Sequence, residues 1–440
     1  MKAIWPVRPL RELADICVSN VDKKTHPREK PVKLCNYMDV YSNEYVTSNI
    51  EFMEATASAA EIEKFGLRRG DVVITKDSET PDDIGIPSVI ADEIKGLVCG
   101  YHLALIRPHS DEMDSIYLAK QLSTSSVARY FALRASGSTR YGLPISSIES
   151  VEIPTPPKSE QTKIAEILST VDRAIDQTEA LITKQQCIKT GLMQDLLTRG
   201  IDEYGNLRSE QTHKFKDSPL GRIPAEWEVS SVSSVLVQPP KNGYSPVESE
   251  NWHGTYMLGL GCLTSDGFRP KQLKYAPLVN RSTEAALLQD GDFLISRSNT
   301  RALVGLVGIF RNIGERCIYP DLMVRLRFSD DVMPEYMEQV FMSSTIRRQI
   351  ENSATGTSGS MQKISAAIIK ELTFRKPQIE EQRRILSTLQ SKAGCILKMN
   401  ESLAKLRSLK TALMQCLLTG KKRVTALLNE VDTTYRRVDA

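Results

Sequence analysis

Lysine, arginine, carboxamide and hydroxyl side chains recur in short clusters along this chain, the mixture that neutralises phosphate and reads base edges. Residues 20–37 hold Asn20, Lys23, Lys24, Arg28, Lys30, Lys33, Asn36 and Tyr37. Such cations displace counterions from a nucleic-acid backbone, and a carboxamide can contact adenine in bidentate fashion. Lys241, Asn242 and Tyr244 form a related cluster later in the chain. Two further loops follow short apolar runs that open on Gly-Asp: Thr75-Lys76-Asp77-Ser78, and Ser296-Arg297-Ser298-Asn299-Thr300-Arg301. Lys76, Arg297, Ser298, Asn299 and Arg301 are the candidate contacts there. Two Gly/Ser/Thr-rich loops carry Ser138, Thr139, Arg140 and Tyr141 in one place and Thr357, Ser358 and Ser360 in another. Small residues of this kind let phosphate approach hydroxyl and backbone N–H donors closely. For any one of these residues a solvated surface turn is the alternative reading.

Signatures of covalent chemistry are missing. The chain has no Gly-x-x-x-x-Gly-Lys-Ser/Thr loop, no His-Glu-x-x-His and no Gly-x-Ser-x-Gly elbow. Its Pro-Pro pairs, Thr155-Pro-Pro-Lys158 and Gln238-Pro-Pro-Lys241, lack the flanking Asn/Asp and aromatic residues that an amino-methyltransferase needs. Asp82, Glu93 and Lys95 have the loose spacing of a metal-dependent nuclease, but Asp82 sits in a Pro-flanked turn and the pattern occurs once. The five histidines and eight scattered cysteines show no ligand spacing. No catalytic residue and no metal ligand is expected.

What must position the clusters is a chain written twice. PPKSEQTKIAEIL from Pro156 returns as PQIEEQRRILSTL from Pro377, and GLMQDLLT from Gly191 as ALMQCLLT from Ala412, both at an offset of 221. Gly70-Asp71 and Gly291-Asp292 keep that offset. More faintly, Trp5-Pro-Val is echoed by Trp227-Glu-Val. In the first shared segment Ile164, Leu168, Val171, Ile175, Ile182, Ile188, Leu192 and Leu196 recur mostly at three- and four-residue steps, the stripe of one amphipathic helix. The second carries Ile385, Leu389, Ile396, Met399, Leu403, Leu406, Leu413 and Leu417. A helix of about 40 residues is roughly 60 Å long. Two of matching length bury their stripes against each other as a coiled coil, and related halves packed about a pseudo-two-fold axis would run antiparallel.

The remaining segments read as mixed α/β globules. Short apolar runs such as Asp71–Thr75, Leu103–Ile106, Asp292–Ser296 and Val304–Phe310 look like strands between turn residues, with helices expected over Asp114–Arg134 and Pro334–Glu351. The organisation expected is a first α/β domain over 1–155, a helix over 156–200, a polar linker over 201–221, a second α/β domain over 222–376, a helix over 377–424 and a tail over 425–440. The repeated Glu-Gln pairs and Lys-Thr-x-Leu-Met-Gln strings single out Gln161, Leu192, Met193, Gln194, Gln382, Leu413, Met414 and Gln415 as a duplicated docking surface. Recent duplication accounts for the strings equally well.

Composition sets the remaining bounds. In 440 residues, 57 Lys and Arg stand against 54 Asp and Glu, so any basic surface is local. A 41% hydrophobic and 25% charged chain of this length is an ordinary folded protein of two to three domains. It lacks the apolar run of a secretory signal or a membrane helix. A cytoplasmic location with free thiols, and no membrane partner, is the expectation.

The strings PPKSEQTKIAEIL, GLMQDLLTRGID, FKDSPLGRIPAEWEV, PQIEEQRRIL and LKTALMQCLLTG, in this order and with this duplicated plan, resemble the DNA-specificity subunits of type I restriction-modification systems over nearly the whole chain. The resemblance implies two pseudo-repeated target recognition domains separated by two long conserved helices. Each domain would read one part of a split double-stranded DNA target, and the helices would set the gap. It implies a non-catalytic subunit that docks two methyltransferase subunits, with two restriction (translocase-nuclease) subunits completing the complex. S-adenosylmethionine, ATP and Mg²⁺ would then be bound by those partners and no cofactor by this chain. A self-contained nuclease and a coiled-coil scaffold that reads no DNA are the competing classes. The second helix is the more cationic, with Arg383, Arg384, Lys392, Lys398, Lys405, Arg407 and Lys410 against Glu380, Glu381 and Glu401, which suits either DNA or an acidic partner.

Overall fold

The structure, a computed structural model, describes residues 5–356 and 361–428. Two compact units divide the chain: one runs to Ala180 and resumes at Glu401, the other spans Leu181–Asn400. Each unit owns one α/β globule and a stretch of both long helices, Lys158–Thr198 (41 residues) and Ile379–Leu417 (39 residues).

In the first unit, strands Ala14–Val18, Leu103–Pro108, Val72–Thr75, Pro87–Ile90 and Tyr45–Val46 form a five-stranded sheet in that spatial order. Val72–Thr75 and Pro87–Ile90 are buried along their whole length, which explains their unbroken apolar sequence. A three-stranded sheet sets Lys30–Cys35 between antiparallel Met53–Ala57 and parallel Leu97–Cys99. The second unit repeats the plan. Lys241–Asn242, Met323–Leu326, Phe293–Ser296 and Val307–Ile309 form one sheet, and Thr255–Leu258 lies between antiparallel Leu273–Tyr275 and parallel Arg316–Ile318 in another.

The helices expected after these strands are each broken in two: Ser115–Leu122 and Ser125–Ala132 in the first unit, Pro334–Met342 and Ser344–Ser353 in the second. Hydroxyls cause both breaks, because Thr124 Oγ1 donates to the Gln121 carbonyl (2.7 Å) and Ser343 Oγ to that of Val340 (2.6 Å), competing with helical continuation.

The long helices pack antiparallel in each unit. Ile164 and Leu168 share a core with Leu413, Met414, Leu417 and Leu418, while Asp172 pairs with Lys410 and Glu179 with Arg407, so rising numbers meet falling ones. In the second unit Leu192, Met193, Leu196 and Leu197 join Ile385, Leu386 and Leu389. The polar linker expected over 201–221 is partly folded. Ile201 belongs to the core and Arg208 is buried, while Phe215–Lys216 pairs with Ile223–Pro224 at the start of the second domain.

Candidate nucleic-acid interface

Strand Val72–Thr75 delivers Lys76 to a short ladder in which Asp77–Ser78 pairs with Tyr141–Gly142. Strand Phe293–Ser296 delivers Arg297 to its counterpart, Ser298–Asn299 paired with Gln362–Lys363. The backbone holds both cations in the same way. Lys76 N–H donates to the His102 carbonyl and its own carbonyl accepts from Leu143 N–H, both at 2.9 Å. Arg297 does the same with Leu322 and Ile364, also at 2.9 Å. One framework thus presents different chemistry twice.

Around Lys76 stand an acid and an imidazole. His102 Nδ1 lies 2.8 Å from Asp77 Oδ2, Lys76 Nζ lies 3.8 Å from the same oxygen, and the Tyr101 ring centroid is 3.6 Å from that of His102. An aspartate on Nδ1 leaves Nε2 as the histidine's outward hydrogen-bonding atom. Burial pushes the neighbouring Tyr37 hydroxyl above its ordinary range, so it stays a neutral donor. In the second unit the positions of Asp77 and Ser78 are taken by Ser298 and Asn299, and that of His102 by Leu322. Tyr101 and His102 were not singled out in sequence for this site, and Asp77 and Tyr37 stood there only as members of their clusters. Only strand pairing brings residues from positions 77, 101–102 and 141 to one place.

The Gly/Ser/Thr loop of the first unit is closed by reciprocal hydrogen bonds between Ser136 and Gly142 (3.0 and 2.9 Å). Gly137 has φ +146°, and a Cβ there would sit 1.9 Å from the Arg140 carbonyl oxygen, so only glycine makes this turn. Ser138, Thr139 and Arg140 are exposed and Tyr141 half-buried. Thr357, Ser358 and Ser360 lie outside the described residues. Lys23, Lys24 and Lys33 are exposed, but Lys33 stands on the three-stranded sheet rather than beside Lys76. Asn36 sits at the start of helix Tyr37–Tyr41, where its N–H donates to Asp39 (2.7 Å). Lys241 and Asn242 are exposed on an edge strand, with Lys241 Nζ donating to the Ala285 carbonyl (3.0 Å). Tyr244 follows them, exposed, and Arg301 is exposed beyond Asn299.

The Glu-Gln pair repeated at the head of each long helix has an internal task. Gln161 accepts from Asp114 N–H and donates to the Glu112 and Pro156 carbonyls, each at 2.9 Å. Gln382 accepts from Met333 N–H (2.9 Å) and donates to the Asp331 and Pro377 carbonyls (3.0 Å). Both are buried, so neither offers its amide to a partner. Glu160 receives Arg423 in a bidentate pair (2.7 Å twice), and Arg423 lies over the Trp5 ring. Glu381 receives Arg208, the Ile201 N–H (2.9 Å) and Trp227 Nε1 (2.9 Å). The head of each helix therefore grips the segment that follows the other. Leu192, Met193, Leu413 and Met414 are half-buried against the cores, leaving Gln194 and Gln415 exposed on the repeated string.

Among the described residues no group of three or more His, Cys, Asp or Glu is arranged to hold a metal ion. Of the loosely spaced Asp82, Glu93 and Lys95, Asp82 is exposed and Glu93 accepts the Arg69 N–H (3.3 Å).

Residues 5–185 match the family described as type I restriction modification DNA specificity domain. The chain is 24% identical over 424 residues to a putative type I restriction enzyme MjaX specificity subunit of Methanocaldococcus jannaschii, spanning 96% of this chain and 94% of that one. It is 25% identical over 333 residues to the type I restriction enzyme EcoKI specificity subunit of Escherichia coli, spanning 74% and 68%. Its fold is also that of the S subunit of a type I restriction-modification system from M. genitalium (TM-score 0.52, 14% identity, 94% and 96% of the two chains). A chain from a structure of the assembly and conformational transition of the type I R-M system superposes with TM-score 0.57 at 16% identity, over 95% and 98%. The chain is thus similar along most of its length to type I restriction-modification specificity subunits, and its mixed α/β repeats and antiparallel helices are the fold of the solved S subunits.

Proposed function

We propose that this chain supplies DNA sequence specificity to a type I restriction-modification complex, each α/β domain reading one part of a split target. The observation that carries the reading is the shared framework at offset 221, which holds Lys76 and Arg297 identically and surrounds them with different side chains. A pair of equivalent mounts with unlike chemistry suits a two-part, asymmetric DNA sequence. The chain performs no chemistry itself. Its helices set the gap and dock two methyltransferase subunits that methylate adenine N6, and two translocase-nuclease subunits complete the complex. Those partners bind S-adenosylmethionine, ATP and Mg²⁺, and the complex works in the cytoplasm. No described helix is long and apolar enough to cross a membrane. The scaffold and nuclease readings find no support in the relatives.

The test is long-read detection of N6-methyladenine in cells expressing the chain with its neighbouring methyltransferase subunit, against cells lacking the chain. The expected result is a split motif with a fixed gap that depends on the chain. An uninterrupted motif would mean that one domain alone reads, and no chain-dependent methylation beside an active partner would overturn the reading.

A further inference from the structure

The two halves of the helix pair are equivalent in apolar pattern and unlike in charge. Residues 158–180 and 401–417 carry six cations and six carboxylates. Residues 181–198 and 379–400 carry six cations and three carboxylates. At the offset of 221, Glu166, Asp172, Asp176 and Glu179 of the first half are replaced by Ser387, Ala393, Leu397 and Asn400. Lys410 rests on Asp172 (2.8 Å) in the first half, whereas at the corresponding positions of the second half Lys189 remains and the acid is replaced by Ala393.

The three carboxylates of the second half are already engaged: Asp195 with Arg199, Glu380 with Arg383, Glu381 with Arg208. Lys184, Lys189, Arg384, Lys392 and Lys398 are left with no ion-pair partner among the described residues. The antiparallel pairing that gathers Leu196, Leu197, Ile385, Leu386 and Leu389 into one core sets Lys184 near the level of Lys398 and Lys189 near that of Lys392. These two cationic rungs are about 8 Å apart at 1.5 Å per residue, and duplex DNA carries a charge roughly every 3.4 Å of its axis on each strand, so both rungs can find phosphates on one strand.

We infer that the second half of the helix pair is a phosphate-contacting surface for duplex DNA, additional to the two reading domains. This rests on the DNA-reading function proposed above. Two copies of one protein partner dock through what the halves share, the repeated string that leaves Gln194 and Gln415 exposed, and the cationic excess of the second half is what they do not share. A continuous polyanion can engage one half alone, and unpaired lysines on a rigid helix give it sequence-independent affinity.

The experiment measures binding of a 40-base-pair duplex by the full chain over a range of salt. Lys184→Gln, Lys392→Gln and Lys398→Gln are combined in one variant, and Lys158→Gln, Arg173→Gln and Lys405→Gln from the first half form the control. The expected result is about a tenfold loss for the first variant at 0.1 M salt, with the slope of log affinity against log salt reduced by about two to three, near 0.9 per lost phosphate contact. The control should lose less than twofold. Neutral methylphosphonate linkages walked along the duplex should weaken the wild type at a subset of positions where the variant is insensitive. Equal losses in both variants, or none in either, would overturn the inference. Unchanged DNA binding with lost co-purification of the methyltransferase subunit would reassign the surface to a protein partner. A wild-type chain that binds no duplex would remove the parent reading and this one with it.

Discussion

Arg297 and Lys76 are held by the same pair of backbone hydrogen bonds, so their substitution is a controlled comparison between the two domains. Arg297→Ala should weaken DNA binding by about 1–3 kcal/mol if it reads a base edge, with the loss confined to one base position in one part of the motif. A loss spread evenly over all sequences would assign it to a phosphate, and unchanged binding would take the loop off the interface. In the first domain, Asp77→Ala removes the acceptor 2.8 Å from His102 Nδ1 and frees the imidazole to rotate. Relaxed selectivity in the other part of the motif, with overall affinity reduced less than by Lys76→Ala, is the expected binding profile. These two residues also mark the limit of what the sequence discloses. Lys76 and Arg297 are legible because a repeated Gly-Asp strand points to them. His102 is not, because its nearness to Asp77 depends on pairing between strands. Gln161 and Gln382 were legible as repeated, yet sequence does not say whether a polar side chain points outward to a partner or inward to three backbone groups.

At the scale of elements, the long helices were readable from periodicity alone, whereas the ties that fasten them were not. Asp172 is buried, with Lys120 Nζ at 2.6 Å, Lys410 Nζ at 2.8 Å and the Tyr45 hydroxyl at 2.8 Å. Glu44 pairs with both lysines. Burial alone would raise the Asp172 carboxyl, but Lys120 and Lys410 outweigh it and hold the group below its ordinary range. For Lys120, burial opposes charge and Glu44 and Asp172 prevail, raising it. A depressed carboxyl contributes stability above its unfolded value, near 4, that is lost as pH falls through the folded value. A raised lysine contributes below about 10.4 and loses that contribution as pH rises through its folded value. Asp172→Asn should cost the first unit about 3 kcal/mol, the low end for a broken buried pair because Glu44 still faces Lys120. It should also flatten the acid limb of stability. Denaturant midpoints from pH 3 to 7 for wild type and variant check both, and parallel curves would remove the ion cluster from the account. Gly200 belongs to the opposite unit's clamp: at φ +70° a Cβ would meet Glu381 Oε1 at 2.2 Å and Trp227 at 2.4 Å. Gly200→Ala should therefore loosen the grip of Glu381 on Ile201 and Arg208 and lower the melting temperature by several degrees, about 1–3 kcal/mol.

At the scale of the molecule, duplication was visible as an offset of 221 because helical packing tolerates few changes in an apolar stripe. The domains diverged further, since a sheet that keeps its buried strands can change every exposed loop. The strand pairings obey the same offset even where residues differ, as in Asp77–Ser78 against Ser298–Asn299, and this is why the fold was more legible than the site. The separation of framework from loops makes a prediction about exchange. Replacing residues 222–376 with the corresponding segment of another specificity subunit should keep Trp227, provided that residue is retained for its hydrogen bond to Glu381, together with both helix heads. Assembly with the methyltransferase should survive. Methylome sequencing should then show one part of the split motif altered, the other part unchanged and the gap preserved, because the helices are untouched. A change in both parts would mean that the domains do not read independently. An unchanged motif with assembly intact would place the specificity of the second part outside residues 222–376.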